Sequence, residues 1–161
     1  MTLLQAAVDD FLAQRRIAVV GVSRSPNQAA NAIYRKLRDG GHEVFAVNPA
    51  ATGTLEGDRA YPALDAIQGG VDAVVVATHP DVSKRVVLDC ATLGIRRVWL
   101  HRSFGEGSVS EAAVESGRKA GLTIIPGACP MMFAQPVDLG HRCIRWLLKA
   151  TRGLPKVESA L

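Results

Sequence analysis

The chain has 161 residues, of which 48% are hydrophobic and 21% charged, with 19 basic against 15 acidic side chains and a net charge of +4. These are values of a single globular domain; the basic excess is small and dispersed, and only 5% of residues are aromatic, which argues against nucleic acid as a partner. No apolar run approaches the roughly 20 residues that cross a bilayer, and the first residues lack the basic flank and apolar block of a signal peptide, so a cytosolic protein without membrane contact is expected.

In chain order, residues 2–14 read as a helix, with Thr2 and Gln5 at capping-box spacing and Leu3, Leu4, Ala7, Val8, Phe11 and Leu12 on one face. Residues 16–22 form a continuous apolar strand. Residues 27–39 are helical, with Ile33 and Leu37 inward, and stop at Gly40-Gly41. A second strand covers 43–47, residues 50–61 read as a loop, and 62–67 can make a short helix. The third strand, 71–77, is followed by a helix over 81–93. The fourth strand is 97–100. A helix over 108–120 is expected to open on a capping box of Ser108 and Glu111. The fifth strand is 122–125, Pro136 opens a last helix over 136–150, and 153–161 reads as a frayed tail.

Unbroken β-branched strands alternating with helices specify an α/β fold. The expectation is one domain: a Rossmann-like, doubly wound parallel sheet of about five strands, with helices on both faces in three αβα layers. The loops after the strands then converge on one edge. They hold Gly21 to Asn27, Asn48 to Ala50, Thr78 to Asp81, His101 to Gly107 and Pro126 to Met132, rich in Gly, Pro, Ser, Thr, Asn, His and Arg. Nucleotides bind at this edge in open α/β folds.

The first loop, Gly21-Val22-Ser23-Arg24, combines a glycine for a tight turn with a hydroxyl and a guanidinium that donate to phosphate oxygens. It lacks the glycines of the dinucleotide fingerprint, having Ser23 and Pro26 there. Asn48, not an acid, ends the second strand, which disfavours ordinary NAD binding. The alternative for Ser23 and Ser25 is simple helix capping, with Arg24 solvated. No Walker loop occurs.

The combination of Val20-Gly21-Val22-Ser23, Val47-Asn48-Pro49, Gly57, Tyr61-Pro62-Ala63-Leu64 and Val71-Asp72 resembles the small stand-alone CoA-binding domain proteins. That family is similar to the nucleotide-binding domain of the succinyl-CoA synthetase alpha subunit. The resemblance runs from about residue 15 to 132 and implies a fold of the NAD(P)-binding type that holds coenzyme A or an acyl-CoA. It implies that Gly21, Val22, Ser23 and Arg24 line the diphosphate, that Asn48 and Pro49 flank the adenosine end, and that Thr78, His79 and Pro80 cover the next part of the ligand. Gly127-Ala128-Cys129-Pro130 lacks the asparagine and final glycine of the synthetase's Asn-Cys-Pro-Gly stretch. The synthetase's phosphohistidine lies in a second domain, so no ligase activity is expected here.

Other residues keep two readings. His101 and His79 follow strands, and each is a ligand contact, a base or a strand terminator; Arg102 beside His101 is a second anion contact or a solvated side chain. Cys129 is a partner for a thiol or a small buried hydrophobe. The cysteines Cys90, Cys129 and Cys143 form no CxxC pair and His141 stands two residues from Cys143, so neither disulfides nor a metal site are expected. Arg142, Arg145, Lys149 and Arg152 line one side of the last helix, as a contact for the CoA 3′-phosphate or an acidic partner, or as a solvated basic face opposite core residues Leu139, Cys143, Leu147 and Leu148. Met131, Met132 and Phe133 are an apolar ligand cover or packing that seats that helix.

No Ser/His/Asp grouping, paired carboxylates or metal motif is visible, and no catalytic residue is assigned. The expected function is non-catalytic or regulatory binding of coenzyme A or a short acyl-CoA, with a homodimer possible. Two alternatives stay open: an NAD(P)-dependent oxidoreductase or redox sensor of similar fold, and a protein-interaction module without a ligand.

Overall fold

A computed structural model describes residues 1–103 and 105–158 of the chain. Seven strands form one sheet in the order β3-β4-β2-β1-β5-β6-β7. They are β1 (Arg16–Val20), β2 (Glu43–Val47), β3 (Thr54–Leu55), β4 (Asp58–Tyr61), β5 (Ala73–Val76), β6 (Arg97–Leu100) and β7 (Thr123–Pro126). The helices are α1 (Leu3–Leu12), α2 (Ala29–Asp39), α3 (Pro80–Thr92), α4 (Glu111–Lys119) and α5 (Leu139–Ala150). Every neighbouring pair is parallel except β3 and β4. The parallel strands thus follow the doubly wound order, which reverses direction between β1 and β5.

Alternation along the strands splits the core in two. Ile17 and Val19 of β1, Ala73 and Val75 of β5 and Trp99 of β6 face α1 and α2, meeting Val8, Phe11, Ile33 and Leu37. Ala18 and Val20, Val74 and Val76, and Val98 and Leu100 face the other way, onto Val86, Val87 and Cys90 of α3 and Ala113 of α4. Trp99 joins the first core to the loop after β7. Phe11 meets its ring edge-on at 5.3 Å, and its Nε1 donates to the Gly127 carbonyl at 2.9 Å.

The sheet has two strands more than the five expected, and both come from the segment read as a loop. Leu55 pairs with Asp58 around the two-residue turn Glu56-Gly57, whose φ angles of 52° and 85° suit a mirror-type hairpin turn. β1 stops at Val20 because Gly21 takes φ 112° and turns the chain out of the strand direction. The expected Ser108 cap is displaced: Ser110 accepts from the Ala113 N–H, while Ser108 donates to the Thr78 carbonyl at 2.6 Å. α5 opens after Asp138, whose side chain accepts from the His141 N–H, and not at Pro136.

The face of α5 also differs from expectation. Leu139, Cys143 and Leu147 are exposed, and Ile144 and Leu148 make the packing contact with the first core. The tail does not fray through its described part: Val157 is buried and Glu158 stands 3.1 Å from Arg118. Residues 159–161 of that tail, and Phe104 in the loop after β6, lie outside the described residues. Among the described residues, no helix is long and apolar enough to cross a membrane.

Candidate functional site

Strand order reverses between β1 and β5, the place where doubly wound sheets hold ligands at the carboxyl ends of their strands. Gly21 and Thr78 lie on its two sides. An added Cβ on Gly21 would stand 2.3 Å from the Ala77 carbonyl oxygen and 3.3 Å from the Thr78 methyl, so only glycine allows the loops to approach this closely. The Gly21 N–H donates to the Val47 carbonyl at 2.9 Å, tying the ends of β1 and β2 together.

Val22 is buried beneath the loop and Ser23 is half-buried, with Arg24 exposed at the rim. The Ser23 backbone is held by Asn31 on α2, whose Oδ1 accepts from the Ser23 N–H at 3.1 Å and whose Nδ2 donates to the Ser23 carbonyl at 2.7 Å. The Ser23 hydroxyl accepts from the Ser25 N–H at 3.1 Å. The N–H groups of Val22 and Arg24 have no partner among the described residues, and Gln28 at the start of α2 provides no side-chain cap. Backbone donors beside a helix N-terminus are the usual means of holding a phosphate.

Asn31 also donates to Glu56 Oε1 at 2.6 Å, which accepts from Arg35 Nη1 at 2.8 Å. Hydrogen bonds from Asn31, and then Arg35, hold the Glu56 carboxyl below its ordinary range, against an opposing effect of burial. The hairpin turn is therefore wired to the Ser23 loop through one buried amide. Sequence reading missed both Asn31 and Glu56, since an asparagine inside a helix looks solvated and Gly57 was the sole mark of the turn.

Asn48 braces the same rim from β2. Its Nδ2 donates to the Val22 carbonyl at 2.8 Å and its Oδ1 accepts from the Ala50 N–H at 2.9 Å, while Pro49 is exposed beside it. Arg24 Nη2 reaches Thr52 Oγ1 at 3.4 Å on this side. Across the reversal, His79 caps α3 and is exposed, with its Nδ1 3.2 Å from Asp81 Oδ2, and Pro80 is the first helical residue. Gly21 to Arg24, Asn48, Pro49, Thr78 and His79 all sit on loops leaving this edge, and Pro80 opens α3 beside them.

His101 sits deeper. It is buried after β6, its Nε2 stands 3.0 Å from Ser103 Oγ, and burial pushes its pKa down to about 4, so the ring is neutral at pH 7. The buried Cys129 thiol has its pKa raised chiefly by burial, with a smaller opposing effect from Ser103. Arg102 turns toward the loop after β7: its N–H donates to the Ala128 carbonyl at 3.1 Å and its guanidinium lies against Gly127. Neither Arg24 nor Arg102 is within salt-bridge distance of a carboxylate among the described residues. Met132 and Phe133 are buried packing for the first core, with Met131 half-buried beside them. Two surface grooves, one beside α1 and α2 and one along α5, lie away from this rim, which is assigned by topology and backbone geometry.

This site sits in a widely shared domain. Over 115 residues the chain is 29% identical to the uncharacterized protein YneT of Bacillus subtilis, covering 71% of this chain and 82% of that protein. It is also 29% identical over 129 residues to the alpha subunit of ADP-forming acetate–CoA ligase II of Pyrococcus furiosus, covering 76% of this chain but only 28% of the subunit. Among solved structures, a hypothetical protein from Pyrococcus horikoshii has the same fold, with a TM-score of 0.73 at 24% identity over 81% of this chain and 92% of that one. A conserved hypothetical protein from Pyrococcus furiosus is 31% identical with a TM-score of 0.60, covering 68% of this chain and 90% of that one. The model of the family described as CoA binding domain matches residues 15–135, from the start of β1 to the approach to α5. The chain belongs to the CoA binding domain family.

Proposed function

We propose that the protein binds coenzyme A or a short acyl-CoA reversibly at the β1–β5 reversal and acts as a binding or regulatory protein. The observation that carries this reading is the Gly21 loop. Its φ of 112° and its contact with Ala77 leave backbone donors, a half-buried serine and an arginine with no carboxylate partner among the described residues at the strand-order reversal. These groups fit a diphosphate. Gly21, Val22, Ser23 and Arg24 hold it, Asn48 and Pro49 border the adenosine side, and Thr78, His79 and Pro80 border the start of the arm.

The bound coenzyme would supply a thiol able to carry an acyl group. The chain's own residues bind and orient it. His101 is neutral and engaged with Ser103, which suits hydrogen bonding near the far end of the arm and provides no strong base. Calorimetric titration with CoA, acetyl-CoA, NAD and NADP tests the reading. Saturable binding of the CoA species, weakened by Ser23→Glu, is expected. Heat with NADP and silence with CoA would overturn it in favour of a redox enzyme, and silence with all four would favour an interaction module.

A further inference from the structure

Helix α5 buries none of its residues. Ile144 and Leu148 face the first core, and Arg145 Nη1 donates to the Met132 carbonyl at 3.1 Å with its guanidinium 5.4 Å from the Phe133 ring. The remaining apolar side chains turn outward. Leu139 is 75% exposed, Trp146 71% and Leu147 55%, on a helix whose neighbours leave them uncovered.

These residues make a seam. Leu139, Cys143, Trp146 and Ala150 are spaced by four, three and four, which is the alternation of core positions in a helix that packs against another helix. Arg142 and Lys149 then occupy one flanking position in successive heptads. The seam borders an open groove of about 1190 Å³, lined on its other sides by Met1, Leu4, Leu154 and Pro155. Arg142 and Lys149 line it, and neither meets a carboxylate among the described residues.

We infer that α5 and this groove dock an amphipathic helix of a partner protein, one with an apolar stripe flanked by carboxylates. Charge selects this occupant. A second copy would bring Arg142 and Lys149 against their own counterparts in an antiparallel pairing of α5, like charge against like. Shape selects it too, because a helix with side chains fills a concave groove and a flat lipid surface does not. The face lies apart from the β1–β5 reversal, so the inference stands or falls independently of CoA binding.

The test uses two synthetic amphipathic helices of about 18 residues, identical in their leucine stripe and carrying either glutamate or lysine at the flanking positions. Trp99 is fully buried and Trp146 exposed, so a fluorescence blue shift on titration reports the seam. The glutamate helix should bind saturably and the lysine helix at least about tenfold more weakly. Leu139→Glu should abolish the shift. The double variant Arg142→Glu/Lys149→Glu should reverse the preference, a result that loss of folding cannot mimic. Absence of saturable binding to both helices, equal binding of both, or an unreversed preference would overturn the inference. So would a concentration-dependent dimer abolished by Leu139→Glu, or the same blue shift on phosphatidylglycerol vesicles without peptide.

Discussion

Gly21 and Ala77 meet across the strand-order reversal with no room for a side chain between them: the carbonyl oxygen of Ala77 stands only 2.3 Å from where a Cβ of residue 21 would sit. The obstacle is backbone on one side and a φ of 112° on the other, so neither partner can swing aside. Gly21→Ala should therefore lower the urea midpoint by the equivalent of about 2 kcal/mol or more. It should also abolish CoA binding in conditions where the variant is still folded. An unchanged midpoint together with unchanged calorimetric affinity would show that the loop is not held as described.

Asn31 separates the support of the loop from its chemistry. Replacing it with leucine leaves the Ser23 N–H and the Glu56 carboxylate without their partner in a buried place, a loss of about 3 kcal/mol. Glu56→Gln keeps an acceptor for Asn31 and removes only the charge facing Arg35, so its effect should be smaller, about 1 kcal/mol. Both variants should weaken CoA binding in the order of their effect on stability, read by urea titration beside calorimetry. Equal and negligible effects would remove Asn31 from the account.

His101 gives the fold an acid-sensitive group. Its pKa is about 4 in the folded chain against an ordinary 6.5, because burial disfavours the charged ring. Between those values the unfolded chain takes up a proton that the folded chain refuses, so this contribution is full above pH 6.5 and declines as pH falls toward 4. By pH 5 the loss amounts to about 2 kcal/mol. His101→Gln should flatten that part of the stability–pH curve without changing its slope on the alkaline side. Parallel acid slopes in the two proteins would refute it.

The thiols should respond unequally to a chromogenic disulfide reagent. Cys90 is pushed up to about 12 by burial, and Cys129 is raised for the same reason. Cys143 lies exposed on α5. One equivalent should react promptly in the native protein and the remaining two only on unfolding, with Cys143→Ser removing the prompt phase. Prompt reaction of Cys129 would instead mark it as an accessible group of the ligand edge.

Much of this architecture was legible in the chain. The strands β1, β2, β5, β6 and β7 announce themselves by short continuous apolar runs between turn and helix signals. The hairpin was not legible because β3 has two residues and β4 four, too few for alternation to stand out. The capping box at Ser108 failed for a tertiary reason, since a carbonyl thirty positions away, on Thr78, takes its hydroxyl. On α5 two apolar stripes compete, and periodicity alone does not say whether Ile144 and Leu148 or Leu139 and Leu147 turn inward. At Ser108 and on α5, a long-range contact decided among options that are locally equal.

The same hairpin has a consequence for how these molecules behave in a crowd. A sheet's outermost strand is a template on which another chain can add itself, and its danger grows with length. Here one border is the two-residue β3, running against its neighbours, and the opposite border, β7, ends in Pro126, which has no N–H to offer. The fold thus keeps a wide, almost wholly apolar sheet while leaving little at either margin for a stranger's strand to copy.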